Sequence, residues 1–151
     1  MNGCVNRSLH RCRLRKKTPP RELRRLQTLW YYLPMNETDC LFCKILAGTA
    51  AADVIYQDNR SVVIRDINPQ APTHLLVIPR EHMESLDDAS QKDESLLGHL
   101  LRISARVAYE HGLSESGGYR TVISTGAGAG QSVSHLHVHV LGGREMTWPP
   151  G

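Results

Sequence analysis

His135-Leu136-His137-Val138-His139-Val140-Leu141 is the stretch from which the rest of the chain is best read. In an extended strand successive side chains point to opposite faces, with a rise of about 3.3 Å per residue. His135, His137 and His139 then share one face at intervals of about 6.6 Å, and Leu136, Val138 and Val140 share the other. The apolar side can anchor the strand on a core, and the polar side presents a titratable row. Two chemistries suit such a row. Imidazoles at i and i+2 can converge on one zinc ion. A neutral imidazole is also a good nucleophile near neutral pH, with its neighbours orienting it or holding an anion. Immediately upstream, Gly126-Ala127-Gly128-Ala129-Gly130-Gln131-Ser132 offers backbone N–H groups with little side-chain obstruction, which suits an anion such as phosphate. It is neither a P-loop, lacking Gly-Lys-Ser/Thr, nor a dinucleotide fingerprint, since no helix follows. Ser132, five residues before His137, can donate a hydrogen bond to a phosphoryl oxygen or leaving group.

Outward from that strand the pattern is regular. Residues 90–111 carry Leu96, Leu97, Leu100, Leu101, Ile103, Val107 and Ala108 at spacings of three and four, which predicts one long helix, capped by Ser90 and stopped at Gly112. Asp39–Leu46 predicts one or two helical turns. Asp53–Gln57 and Ser61–Ile67 read as strands of a hairpin around Asp58-Asn59-Arg60, and Asn68–Pro72 reads as a loop. Thr73–Ile78 and Tyr119–Ser124 are further strands. Five strands with one long and one short helix, not alternating as βαβ units, predict an α+β fold with a mainly antiparallel sheet and the long helix on one face.

Composition divides the chain. Residues 1–34 hold nine of the eighteen Lys and Arg but a single acid, Glu22, whereas residues 35–151 hold nine bases against fourteen acids. The first segment reads as a basic, solvated and disordered extension, and residues 35–151 as one domain; Met35 is an alternative start. Nucleic acid is not the expected partner, although such an arm can neutralise phosphates. No run is long and apolar enough to span a membrane, and no signal-peptide pattern is present, so a cytoplasmic protein is expected. Cys40 and Cys43 form Cys-x-x-Cys, for which a metal or a pair of reduced thiols is the natural reading; Cys4 and Cys12 have no evident role.

The stretch 135–141 matches His-φ-His-φ-His-φ-φ, with φ apolar, at every position, and so resembles the histidine-triad (HIT) family. Gly130-Gln131-Ser132-Val133, Leu141-Gly142-Gly143-Arg144, Asp66–His74, residues 93–100 and the terminal Trp148-Pro149-Pro150-Gly151 are similar to the Hint branch, the purine nucleoside phosphoramidases. The resemblance covers roughly Asp39 to Gly151. It implies a HIT-like fold whose two sheets join in a homodimer. It implies hydrolysis of the P–N bond of purine nucleoside phosphoramidates or adenylylated amines through a nucleotidyl-histidine, releasing a nucleoside monophosphate of the AMP or GMP type. His137 would be the nucleophile, with His139 holding a phosphate oxygen, Ser132 assisting the leaving group and His74 fixing the tautomer of the row; no metal is needed for these steps. Asp66 would take the ribose hydroxyls, Ile64 and Ile67 would flank base and sugar, and Gly130, Gln131, Ser132 and Val133 would line the phosphate side. Ser124 stands where Asn is usual in the sugar or phosphate contacts, and Thr147 where His is common. Cys40, Cys43, His82 and His135 resemble the structural zinc site of many bacterial relatives. The alternatives are a dinucleoside polyphosphate hydrolase of the same fold, against which the Trp148 tail argues, and a nucleotide-binding scaffold with little turnover.

Overall fold

Asp58 closes the first hairpin. Its Oδ1 accepts from the N–H groups of Arg60 (2.8 Å) and Ser61 (2.7 Å), and its own N–H donates to the Ser61 carbonyl at 2.9 Å. A carboxylate that satisfies two turn amides is why Asp is favoured here. The computed structural model describes residues 39–150; the basic extension assigned to residues 1–34 lies outside them. The hairpin joins β1 (Val54–Gln57) to β2 (Ser61–Arg65). β3 (Thr73–Pro79), β4 (Tyr119–Val122) and β5 (Val138–Gly142) complete a five-stranded sheet in the order β1-β2-β3-β5-β4, with all four pairings antiparallel.

The short helix, α1, spans Leu41–Leu46 and the long one, α2, Glu94–Glu110. Ser90 stands at the start not of α2, whose N-cap is Asp93, but of the turn before it, where its N–H and hydroxyl both donate to the Asp93 carboxylate, at 2.9 and 2.8 Å. A 3-10 turn over Gln91–Asp93 intervenes, so α2 starts one turn later than the sequence suggests. Gly112, at φ +69°, ends it in the left-handed conformation that a side chain would resist.

The alternation read from the sequence sets the two faces of the sheet. Val63, Leu75, Val77, Leu136, Val138 and Val140 pack with the apolar face of α2 as one core. Val62, Ile64, Leu76 and Ile78 point to the other side and pack with Phe42 of α1. Beside that second layer, β5 delivers its histidines. Regular pairing of β5 begins at Val138, three residues later than expected, because the facing strand runs out at Pro79, which has no N–H to give. The Leu136 N–H instead donates to the Met83 carbonyl (2.6 Å), and the Pro79 carbonyl accepts from the His135 ring (3.0 Å). Facing is kept nonetheless: Leu136 is buried with the α2 core, while His135 and His137 lie on the opposite side.

His99, on α2, is engaged with the hairpin. Its Nε2 lies 3.0 Å from the Asp58 carboxylate and 3.3 Å from the Ser61 hydroxyl, tying α2 to the hairpin. Both contacts use the same ring nitrogen, so Ser61, His99 and Asp58 are a structural pin and not a catalytic relay. Among the described residues no helix is long and apolar enough to cross a membrane.

Candidate active site

His137 sits one residue before β5, where its Nδ1–H donates to the His135 carbonyl at 2.7 Å. A carbonyl can only accept, so this bond places the ring proton on Nδ1 and leaves the Nε2 lone pair available. Phe42 packs edge-on against the ring (centroids 5.1 Å apart), and the His139 ring follows at 4.7 Å. His137 is only 4% exposed, yet it lines a cavity of about 590 Å³ between α1, β2, β3 and the glycine loop.

A second chain of bonds fixes the neighbouring rings. The Gln70 backbone N–H donates to His74 Nδ1 at 3.1 Å, and His74 Nε2 lies 2.9 Å from His139 Nδ1. With Nδ1 accepting, the neutral His74 ring carries its proton on Nε2 and gives it to His139 Nδ1. His139 is then left with an N–H on Nε2, the donor it can offer to the cavity. Asp66 Oδ2, 3.4 Å from His74 Nε2, faces the same proton, and Asp66 Oδ1 accepts from the Asn68 N–H at 2.8 Å. Burial pushes the His74 pKa down, against the pull of Asp66. Burial, then repulsion from His137 and His74, pushes His139 down to about 4. Asp66, His74 and His139 also bring three ligand atoms together, but the proton on His74 Nε2 makes the trio a relay and a poor ion cage.

The sign of the His139 shift gives a measurable expectation. An unfolded histidine titrates near 6.5, so between that pH and about 4 the unfolded chain binds the extra proton and the folded one does not. The stability owed to the neutral ring is full above pH 6.5 and is lost as pH falls toward 4. A ring NMR titration is expected to show His139 neutral down to about pH 4; an ordinary midpoint near 6.5 would overturn the depression that burial imposes on this ring.

On the far side of Phe42 a separate cluster gathers. The Cys40 and Cys43 sulfurs lie 3.4 and 3.6 Å from His135 Nδ1, the Cys43 sulfur lies 3.2 Å from His82 Nδ1, and the two Nδ1 atoms are 3.2 Å apart. With Zn–S near 2.3 Å and Zn–N near 2.0–2.1 Å, the edges of a tetrahedral site are about 3.3–3.8 Å, so the donor set and spacing fit zinc. His135 Nε2–H donates to the Pro79 carbonyl at 3.0 Å, which turns the Nδ1 lone pair toward the sulfurs, as a ligand requires. His135 is fully buried, and burial pushes its pKa down to about 4. It belongs to this cluster and is not among the residues that line the cavity.

Of the nucleotide-contacting residues expected from the sequence, Ile64, Asp66, Ile67, Gly130, Ser132, Val133, His137 and His139 line the cavity, as does His74, expected only to fix the tautomer of the row. Ser124 and Gln131 do not. Ser124 lies beyond the end of β4. Gln131 is turned away because its amide is engaged elsewhere: Oε1 accepts from the Gly126 N–H (2.8 Å), and Nε2 donates to the carbonyls of Glu84 (2.6 Å) and Val133 (3.0 Å). The sequence reading missed Leu41, Phe42 and Ile45, which form the apolar wall. Their spacing on α1, one turn apart, is the signal the sequence carries for them.

The HIT domain family profile matches residues 47–146. The chain is 48% identical over 113 residues to an uncharacterized HIT-like protein of Synechococcus elongatus, covering 75% of this chain and 97% of that protein. Among solved structures it is similar to a HIT family hydrolase from Legionella pneumophila (49% identity, TM-score 0.73), covering 75% of this chain and 100% of that one. It is also similar to a Zn-bound histidine triad family protein from Mycobacterium smegmatis (32% identity, TM-score 0.64), covering 72% and 78%. With the alternating histidines, the sheet order and the cavity beside His137 in place, these likenesses leave one assignment: the chain belongs to the HIT domain family.

Proposed function

We propose that the chain is a nucleotide hydrolase that cleaves the P–N bond of purine nucleoside phosphoramidates or adenylylated amines. One observation carries the reading: the Nδ1–H bond from His137 to the His135 carbonyl leaves an unprotonated Nε2 on the ring that lines the cavity. That nitrogen attacks the α-phosphorus, a P–N bond to histidine forms, and the bond to the leaving nitrogen breaks. The amine departs with a proton drawn from solvent through the Ser132 hydroxyl, and the attacking water gives one proton back in the second step. Water then displaces His137 and releases the nucleoside monophosphate, so one difficult displacement becomes two easier ones. The His139 N–H meets the charge developing on a phosphoryl oxygen. Asp66 takes the ribose hydroxyls, and the base lies among Ile64, Ile67 and the α1 wall. Incubation with adenosine 5′-phosphoramidate is expected to release AMP in amounts that scale with enzyme; no release above the uncatalysed rate would refute the reading.

Cys40, Cys43, His82 and His135 would hold a structural zinc ion, as the fit of donors and spacing supports. When bound, it supplies a crosslink among α1, the segment after β3 and the start of the histidine row. Four protein donors complete a tetrahedral shell and leave no position for substrate.

A homodimer completes the reading. β4 lies at one edge of the sheet, where a strand with an unpaired side invites pairing, and Leu101 and Tyr109 expose apolar surface on α2. Light scattering coupled to size exclusion is expected to give twice the chain mass; a monomer at micromolar concentration would remove this part.

A further inference from the structure

We infer that Gln131 is a positioning residue, an internal clasp that holds the glycine loop so that its end beside the cavity, Gly130, Ser132 and Val133, is preset for a phosphate, without itself touching the ligand. The inference rests on the nucleotide reading above and names what holds the phosphate side of that site. The loop from Gly126 to Gly130 is a tight turn, closed by Ala129 N–H to Gly126 O (3.1 Å), Gly130 N–H to Ala127 O (3.0 Å) and Gln131 N–H to Gly126 O (3.2 Å). Gly126 and Gly130 lie at φ +81° and +85°, in the left-handed region. Packing does not grip this turn: a Cβ added at Gly126, Gly128 or Gly130 would meet nothing within 4 Å. An unpacked, glycine-rich turn has many conformations of similar energy, and holding one of them for a ligand costs entropy at the moment of binding.

The Gln131 side chain supplies what packing does not. Its Oε1 caps the Gly126 N–H at the start of the turn, and its Nε2 reaches across to the Glu84 carbonyl and down to Val133. Among the described hydrogen bonds, the one to Glu84 is the tie between residues 126–131 and a distant part of the chain. The anchor itself is firm, because the preceding carbonyl, of Met83, accepts from Leu136 N–H at 2.6 Å. The same two-residue segment thus holds the catalytic row at one point and the glycine loop at the other. Gly130, Ser132 and Val133, on either side of Gln131, line the cavity while Gln131 does not. An amide that fastens both ends of the loop outside the cavity fixes the direction of the groups inside it.

Two variants test this in the full chain: Gln131→Met, near in size but without polar atoms, and Gln131→Asn, which keeps the amide but shortens its reach. Two readouts are needed. In the ligand-free protein, amide hydrogen exchange over residues 126–130 is expected to speed up by about tenfold or more, with the amides of β3 and β5 unchanged. By calorimetry, AMP is expected to bind about tenfold more weakly to both variants and adenosine, which lacks the phosphate, as in the wild type. A direct ligand would leave exchange in the free protein unaltered, so unchanged loop exchange overturns the clasp. Faster loop exchange with undiminished AMP affinity overturns the positioning role. Loss of adenosine and AMP together, with exchange spreading into β3 and β5, makes Gln131 a general fold residue and also overturns it. Wild-type protein that binds neither compound refutes the nucleotide reading itself and takes the positioning role with it, while the exchange result still decides whether the clasp exists.

Discussion

Replacing His137 with Ala is expected to stop AMP release from adenosine 5′-phosphoramidate, with kcat falling by about four orders of magnitude or more. The size of the loss follows from covalent catalysis, because nothing else in the cavity can form the nucleotidyl intermediate with the same geometry. His74 and His139 are bonded to each other through Nε2 and Nδ1, so His139 presents an N–H and not a lone pair. Among the described hydrogen bonds none joins the Ser132 hydroxyl to a base, and Asp66 is held at the turn by Asn68. The chain should still fold, since the α2 side of this stretch is carried by Leu136, Val138 and Val140 and not by the ring. AMP binding should persist within severalfold, which separates loss of chemistry from loss of the pocket. Undiminished turnover in the variant would place the nucleophile elsewhere.

The second large effect is expected at the other end of the row. Cys43→Ser should lower bound zinc in the purified chain from near one equivalent per protomer to below about half, and should lower Tm by about 10 °C. The reasoning runs through α1. That helix has six residues, too few to be stable alone, and its N-cap, Cys40, contributes no side-chain capping bond. It is held by Phe42, buried against the second layer of the sheet, and by two sulfurs directed at His82 and His135. Losing one sulfur leaves three donors and weakens the grip on the element that supplies Leu41, Phe42 and Ile45 to the cavity wall. Equal metal content and equal Tm in the two proteins would make the cluster a set of reduced thiols packed beside two imidazoles.

The fold was legible where periodicity was unambiguous. The histidine stretch announced two faces, and the structure keeps them: valines on α2, histidines on the cavity side. The hairpin at Asp58 and the long helix were readable for similar local reasons. What could not be read depends on partners distant in sequence. The start of β5 at Val138 is set by Pro79, some sixty residues away in the chain. His99 looks idle until the fold brings Asp58 to it. Gln131 sits among residues that line the cavity, and nothing local reveals that its amide closes on Glu84. Residues Leu41, Phe42 and Ile45 carry no motif of their own and become a wall only when the sheet is placed behind them.

The sharing of one segment between two faces has a consequence for how this gene can vary. Exchanging Val138 or Val140 for another branched aliphatic changes volume alone, and a core absorbs such swaps at modest cost. Adding or deleting a single codon between His135 and Val138 would reverse the facing of the residues on one side of the change relative to those on the other, so that His135 and His139 could no longer share a face while Val138 and Val140 share the other. Descendants of this sequence should therefore drift in composition along the concealed side while the number of residues between Pro79's partner ring and the first paired valine stays constant.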